Sequence, residues 1–268
     1  MDYSNDFINR HIGINNQDEK EMLEYLNEKN ISALIEKTIP EKIRLKKDLD
    51  LNYGISEPRY LELIQSLGKK NKNYRSYIGL GYYNTVLPSV IKRNILENPN
   101  WYTAYTPYQP EIAQGRLEAL FNFQTVITEL TGMPIANASL LDEGTAAAEA
   151  MILSYNNRSN KKENEQTTFL VSKDCFPQTI EVLKVRANPI GIKLKIVDEF
   201  NLTNDVFGII CQYPSKYGSI NNIEDIIKKA SEKNIITTIA ADLLSLTLLK
   251  PPGEFNADIV VGSSQRFG

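Results

Sequence analysis

Val206-Phe-Gly-Ile-Ile-Cys-Gln212 and Ile235-Ile-Thr-Thr-Ile-Ala-Ala241 are short, nearly continuous apolar runs, and an amphipathic segment, Ile223–Lys233, lies between them. Strands buried on both faces show unbroken apolar runs, whereas a half-exposed sheet shows alternation. The strand–helix–strand order therefore reads as a βαβ unit with a parallel pair. Working outward, Thr168–Ser172, Lys193–Val197 and Ile259–Gly262 are further candidate strands, and Pro177–Arg186 is a second candidate helix. The pattern predicts an α/β domain whose mostly parallel sheet is covered by helices on both faces.

Upstream, Glu111 to Leu130 reads as a long helix with Ala113, Leu117, Leu120, Phe121, Ile127 and Leu130 as its apolar stripe. Gly132 and Pro134 stop it. A second helix starts near Gly144, and the polar tract Asn156–Gln166 reads as a surface loop. The region from Tyr74 to Glu111 is rich in Gly and Tyr and contains a helical pattern from Pro88 to Asn98. In Trp101-Tyr-Thr-Ala-Tyr-Thr-Pro-Tyr-Gln-Pro-Glu111, the two prolines argue against a regular helix. Its polar-tipped aromatics suit a pocket or an interface.

The N-terminal region reads as short helices. Asn16 with Glu19 forms a capping-box pattern, Ser32 is a candidate cap for the next helix, and Ser56 and Pro58 open a third. In that third helix Tyr60, Leu63, Ile64 and Leu67 follow helical spacing. The expected organisation is a helical arm over residues 1–73 and a large α/β domain over 74–268 that stops soon after a buried-looking strand.

Composition narrows the function classes. The chain has 268 residues, 42% apolar and 24% charged, with a net charge of −3. That is ordinary for a soluble globular protein, so neither nucleic acid nor a membrane is an expected partner. Two cysteines, Cys175 and Cys211, and one histidine, His11, leave no material for a disulfide scaffold or a His/Cys metal centre. The start of the chain has no targeting pattern, so a bacterial cytoplasm is the expected location.

Asp142-Glu-Gly-Thr145 is a candidate phosphate cradle, because Gly144 and Thr145 at a helix start offer free N–H groups and a hydroxyl. The same residues make a plain capped helix, and Asp142 and Glu143 oppose an anion unless they face away. Gly79-Leu-Gly81 lacks the third glycine of a dinucleotide fingerprint. Asp242 follows one candidate strand, and Gln265 follows the next, 23 residues later. In pyridoxal-phosphate (PLP) enzymes of the aminotransferase-like fold, an Asp in the first position pairs with the pyridinium nitrogen. A Lys in the second position forms the Schiff base. Gln265 forms no imine, and its neighbour Arg266 stays protonated. Such a site is disarmed.

Several stretches together resemble the P-protein of the glycine cleavage system, the PLP-dependent glycine decarboxylase. They are Phe7–Gly13, Tyr77–Tyr83, Tyr102–Glu111 (YTAYTPYQPE), Asn137–Ala150 (NASLLDEGTAAAEA), Lys250–Phe255 and Gly262–Gly268 (GSSQRFG). The resemblance implies the aminotransferase-like fold, PLP fold type I. It implies that the chain is the N-terminal part of the long single-chain form, with no catalytic residue of its own. The Schiff-base lysine and most of the PLP contacts then lie in a C-terminal half outside it, and Gly144, Thr145, Asp242 and Gln265 mark a degenerate site. Tyr105, Thr106, Tyr108, Gln109 and Glu111 become candidates for the active-site wall or substrate channel. The implied reaction decarboxylates glycine on PLP and hands the aminomethyl group to the lipoyl arm of H-protein. The implied partners are the C-terminal half, lipoylated H-protein, glycine and a second copy of the full chain. Two other readings stand beside this one: an autonomous PLP enzyme using Lys250 or Lys216, and a catalytically dead scaffold or regulator of the same fold.

Overall fold

The structure, a computed structural model, describes residues 11, 13–47, 49–52, 54–103, 106, 108–158 and 166–267. Tyr105, most of Phe7–Gly13, the tract 159–165 and Gly268 lie outside the described residues. The chain folds as two units, Met1–Ser76 and Tyr77–Gly268.

The first unit carries α1 (Asn16–Tyr25), α2 (Ile31–Thr38) and α3 (Glu57–Gly68). Two of its caps correct the sequence reading. The capping box sits one residue earlier than expected: Asn15 accepts from the Gln17 and Asp18 N–H groups, and Asp18 reaches back to the Asn15 N–H. Asn30 rather than Ser32 caps α2, by accepting from the Ala33 N–H at 2.9 Å. In both places the Asn holds extended backbone, as a cap must, while the residue expected to cap lies within the helix. Ser56 opens α3 as expected, with Pro58 in the first turn. The stripe of Tyr60, Leu63, Ile64 and Leu67 is exposed.

The second unit begins with α4 (Ser89–Leu96), the four-residue helical turn α5 (Pro99–Tyr102) and α6 (Pro110–Thr131). Of the aromatic stretch Trp101–Glu111, only the ends lie in helices, and its described residues between Tyr102 and Pro110 are non-helical, as expected. Pro99 and Pro110 each sit in a first helical turn, where their missing N–H costs nothing. α6 ends on Gly132, whose φ of 69° is left-handed. Helix α7 (Glu143–Asn157) takes up the start of the tract read as a loop.

The remaining elements are β1 (Thr168–Ser172), α8 (Pro177–Ala187), β2 (Lys193–Val197), β3 (Val206–Tyr213), α9 (Ile223–Ser231), β4 (Ile236–Asp242) and β5 (Ile259–Ser263). They form one parallel sheet in the order β2-β1-β3-β4-β5, as the apolar runs predicted. Every residue of the central β3 is buried. One face packs Ile209, Cys211, Ile239 and Ala241 against Ile223 and Ile227 of α9, with Ile127 and Leu130 of α6 beside them. The other packs Phe169, Phe207, Ile210 and Ala240 against Ala147 and Met151 of α7 and Leu183 of α8. A register irregularity opposite Thr168 and Phe169 lets Val206 and Ile209 share one face and Phe207 and Ile210 the other. Gly208 is required there, because a Cβ would press into the Phe169 ring. Phe, Ile and Leu buried to this degree each contribute about 1.5–3 kcal/mol.

Three strands run one residue further than predicted, so Asp242 is the last residue of β4 and pairs with Ser263 of β5. No helix of the described residues is long and apolar enough to cross a membrane.

Candidate functional site: a filled cleft at the carboxyl ends of the strands

Open parallel sheets bind ligands in the crevice outside the carboxyl ends of their strands. Here that crevice is lined by Gly81, Tyr82, Glu143, Phe176, Asp242 and Arg266, with Tyr83, Ala241, Ser263 and Gln265 at its margins. The sheet therefore brings together two of the expected residues, Asp242 and Gln265, with Arg266 beside them, next to the start of α7.

Each of them is engaged. Arg266 Nε lies 3.3 Å from Asp242 Oδ1, and its guanidinium sits 5.9 Å from the Tyr83 ring. Gln265 Nε2 donates to the Tyr83 carbonyl at 2.9 Å. Asp242 Oδ1 also accepts from the Leu244 N–H at 3.1 Å. At α7, Asp142 accepts from the Thr145 N–H at 2.7 Å. That bond occupies the N–H a phosphate would have used, and the Thr145 hydroxyl together with this N–H lowers the Asp142 carboxyl from its ordinary value. Gly144 is packed against Val182 and Thr179, so the helix start is a closed cap rather than an open cradle.

Glu143 does not face away. Its side chain is buried, and Thr179 Oγ1 donates to Oε1 at 3.4 Å. Burial pushes the carboxyl up to about 7, against the opposing pull of Thr179 and Gln212. Gln212, at the end of β3, is buried beside it, and neither of its amide atoms closes a hydrogen bond of ordinary geometry. Tyr82 fills the remaining space. Its ring centroid lies 5.0 Å from that of Phe176, and burial together with the Glu143 and Asp142 carboxyls pushes its phenol far up. The cavity left over is about 20 Å³, room for about one water.

Sequence reasoning missed Tyr82, Phe176, Thr179 and Gln212. The available signal was Gly79-Leu-Gly81 immediately before two tyrosines, read as part of the Gly- and Tyr-rich region and of the Tyr77–Tyr83 resemblance but assigned no place in a site. All three residues of that segment have left-handed φ: 64° at Gly79, 54° at Leu80 and 98° at Gly81. A Cβ on Gly81 would overlap the Phe176 ring.

The two alternative lysines lie elsewhere. Lys250 Nζ sits 4.3 Å from the Phe255 ring centroid, and Lys216 Nζ donates to the Lys173 carbonyl at 2.5 Å. Neither lines the cleft. Thr106, Tyr108, Gln109 and Glu111 are exposed and do not line it either. Cys175 and Cys211 are buried and unpaired, and burial raises both thiols, Cys211 to about 12. No group of three or more potential metal ligands occurs among the described residues.

The residues present do not fit PLP. No amine lines the cleft, the strand-end carboxylate is paired with an arginine, and the space for a ring is filled. A second cavity of about 590 Å³ runs along β5 between α6 and α7, with Ile127, Met133, Leu141, Leu153, Leu243 and Val260 on its walls.

Comparison with known proteins follows the same lines. The family model described as glycine cleavage system P-protein matches residues 9–268. A glycine dehydrogenase (decarboxylating) of Nostoc punctiforme is 56% identical over 264 residues. The mitochondrial protein of that name from Dictyostelium discoideum is 51% identical over 274. In both cases the match covers 98% of this chain and 27% of the relative. The crystal structure of a glycine decarboxylase (P-protein) in inhibitor-bound form superposes with a TM-score of 0.81 at 30% identity. It covers 95% of this chain and 58% of that one.

Proposed function

Because the chain belongs to the glycine cleavage system P-protein family, we propose that it supplies the N-terminal part of a glycine decarboxylase. That enzyme would decarboxylate glycine and pass the aminomethyl group to the lipoyl arm of an H-protein. The observation that carries the reading is the pairing of 56% identity along nearly the whole chain with a cleft that lacks a reactive amine. The chain spans about a quarter of the length of these relatives, so the activity is assigned to a longer protein.

In that protein PLP would act as the electron sink for decarboxylation, and the residues that hold it would lie outside this segment. The role proposed here is assembly and walling. Residues 1–73 form an arm. The polar-tipped loop of Tyr105, Thr106, Tyr108, Gln109 and Glu111 faces the partner half or the substrate channel. The exposure of Tyr108, at 86%, supports a surface that meets something else. A second copy of the full chain and the lipoylated carrier are the remaining proposed partners. The two free, buried thiols suit a reducing compartment such as the cytoplasm.

The test is to load the full-length native protein with PLP, record absorbance at roughly 400–430 nm with and without glycine, reduce with borohydride and map the modified peptide. The expected result is a glycine-responsive chromophore whose adduct maps outside residues 1–268. An adduct on Lys250, Lys216 or any other lysine of this segment would overturn the reading and make the segment an enzyme in its own right.

A further inference from the structure

We infer that Tyr82 is a built-in occupant of a planar-ligand seat, a site for an uncharged hydroxyl-bearing aromatic ring that the chain fills with its own side chain. The inference rests on the geometry of the cleft and is independent of the reaction performed by the longer protein.

The argument begins with the backbone. A segment that only crosses a surface has no need of three successive left-handed residues, least of all with a leucine among them. Gly79, Leu80 and Gly81 adopt that conformation, and Gly81 lies so close to the Phe176 ring that a side chain there is excluded. The strap is thus drawn tight over Phe176, and the next residue is driven into the crevice. Tyr82 then meets Phe176 with its ring tilted by 57° at 5.0 Å, within the separation at which aromatic pairs attract. Gln265 fastens the strap from the other side through the Tyr83 carbonyl, and Arg266 adds its contact with the Tyr83 ring.

The far end of the seat is polar and buried. The Tyr82 phenol is within reach of Thr179, and Glu143 lies behind it. Gln212 stands beside Glu143 and pulls on its carboxyl, although neither amide atom closes a hydrogen bond of ordinary geometry. A seat with an aromatic wall, and with a hydroxyl, a carboxyl and a buried amide at its end, selects a flat ring bearing one neutral polar group. It selects against a carboxylate, because Glu143 and Asp242 line it and the one cation among the described residues on its wall, Arg266, is paired with Asp242. With Tyr82 in place only about 20 Å³ remains, so no second ring enters. Tyr82 is half-buried, so removing the phenol ring opens a ring-sized notch between the Phe176 wall and a polar end.

The experiment uses the protein at its full native length, with p-cresol as the probe and benzoate as its anionic counterpart. In Tyr82→Ala, p-cresol is expected to bind saturably at one site per chain and raise Tm by on the order of 3 °C or more. Benzoate should do neither, and the wild type should take up no p-cresol at this site. Gly81→Ala, which lifts the strap without removing the ring, should gain the same p-cresol site. Tyr82→Phe keeps the ring and should stay closed to the probe. Should Tyr82→Ala accumulate only as insoluble protein, millimolar p-cresol in the growth medium is expected to restore soluble protein. The inference is overturned if folded Tyr82→Ala shows no saturable p-cresol binding. It is equally overturned if benzoate binds as well as p-cresol, if the wild type binds p-cresol equally, or if p-cresol fails to rescue an insoluble variant.

Discussion

Glu143 is the residue whose setting departs furthest from what its neighbours in sequence suggest. In the first turn of a helix a glutamate is ordinarily a solvated group that favours the macrodipole. Here it is buried behind Tyr82 and Thr179, and its pKa rises to about 7. The folded protein therefore holds a proton that the unfolded chain, near the ordinary glutamate value, has already released. Stability is greatest at low pH with respect to this group, falls as pH rises from about 4.5 to about 7, and levels above that. At ~1.4 kcal/mol per pH unit the loss is on the order of 3 kcal/mol. Urea melts at pH 5 and pH 8 should show the wild type weaker at pH 8, with Glu143→Gln nearly level across the same range. Equal slopes in the two proteins would show that the carboxyl is ionised throughout. Asp242, Gln265 and the absence of an amine beside them were legible at the residue scale, because a strand end places its next residues in the crevice. Glu143 was not, because nothing in the string Asp-Glu-Gly-Thr says which of two adjacent acids turns to the helix and which to the core.

At the scale of elements the parallel sheet was legible almost residue by residue, since strands buried on both faces leave an unmistakable apolar run. Caps were less so. Asn15 and Asn30 outcompete Asn16 and Ser32 because each stands one or two residues earlier, on extended backbone. Helix α7 shows what a cap contributes: Asp142 satisfies the Thr145 N–H at 2.7 Å and leaves the positive helix end already answered. Asp142→Ala should lower stability by about 1 kcal/mol, within the usual range for such caps, with Tyr82 still against Phe176. Chemical denaturation measures the loss. A change below a few tenths of a kcal/mol would mean that another group caps α7. Gly262 has a comparable local duty, since a Cβ there would strike the Ala241 carbonyl and prise β5 from β4.

On the scale of the whole molecule, the sheet has β5 at one edge, and the groove of about 590 Å³ beside it is mostly apolar, with Asp142, Glu149 and Asp258 among its lining. Leu141, on that wall, is 88% exposed. Contiguous apolar surface of this kind marks a place where something else packs. The 268-residue chain should enhance 1-anilinonaphthalene-8-sulfonate fluorescence under native conditions, and Leu141→Glu should reduce that signal without loss of helical circular dichroism. Fluorescence unchanged by the substitution would show that the dye binds elsewhere. How the groove is used was not legible from composition, because its residues come from α6, α7 and β5 and meet only after folding. The bond between Gln265 and the Tyr83 carbonyl has a consequence in time. The two residues are 182 positions apart, and a ribosome adding about 5–20 residues per second needs roughly 10–35 s to cover that distance. For that interval Tyr82 and its strap have been made while the turn that fastens them has not. Until Gln265 is made, the strap lacks the bond that holds it and its two adjacent tyrosines are open to chaperones, so its closure is expected to come late in synthesis. Slowing translation between the strap and β5 should lengthen that interval.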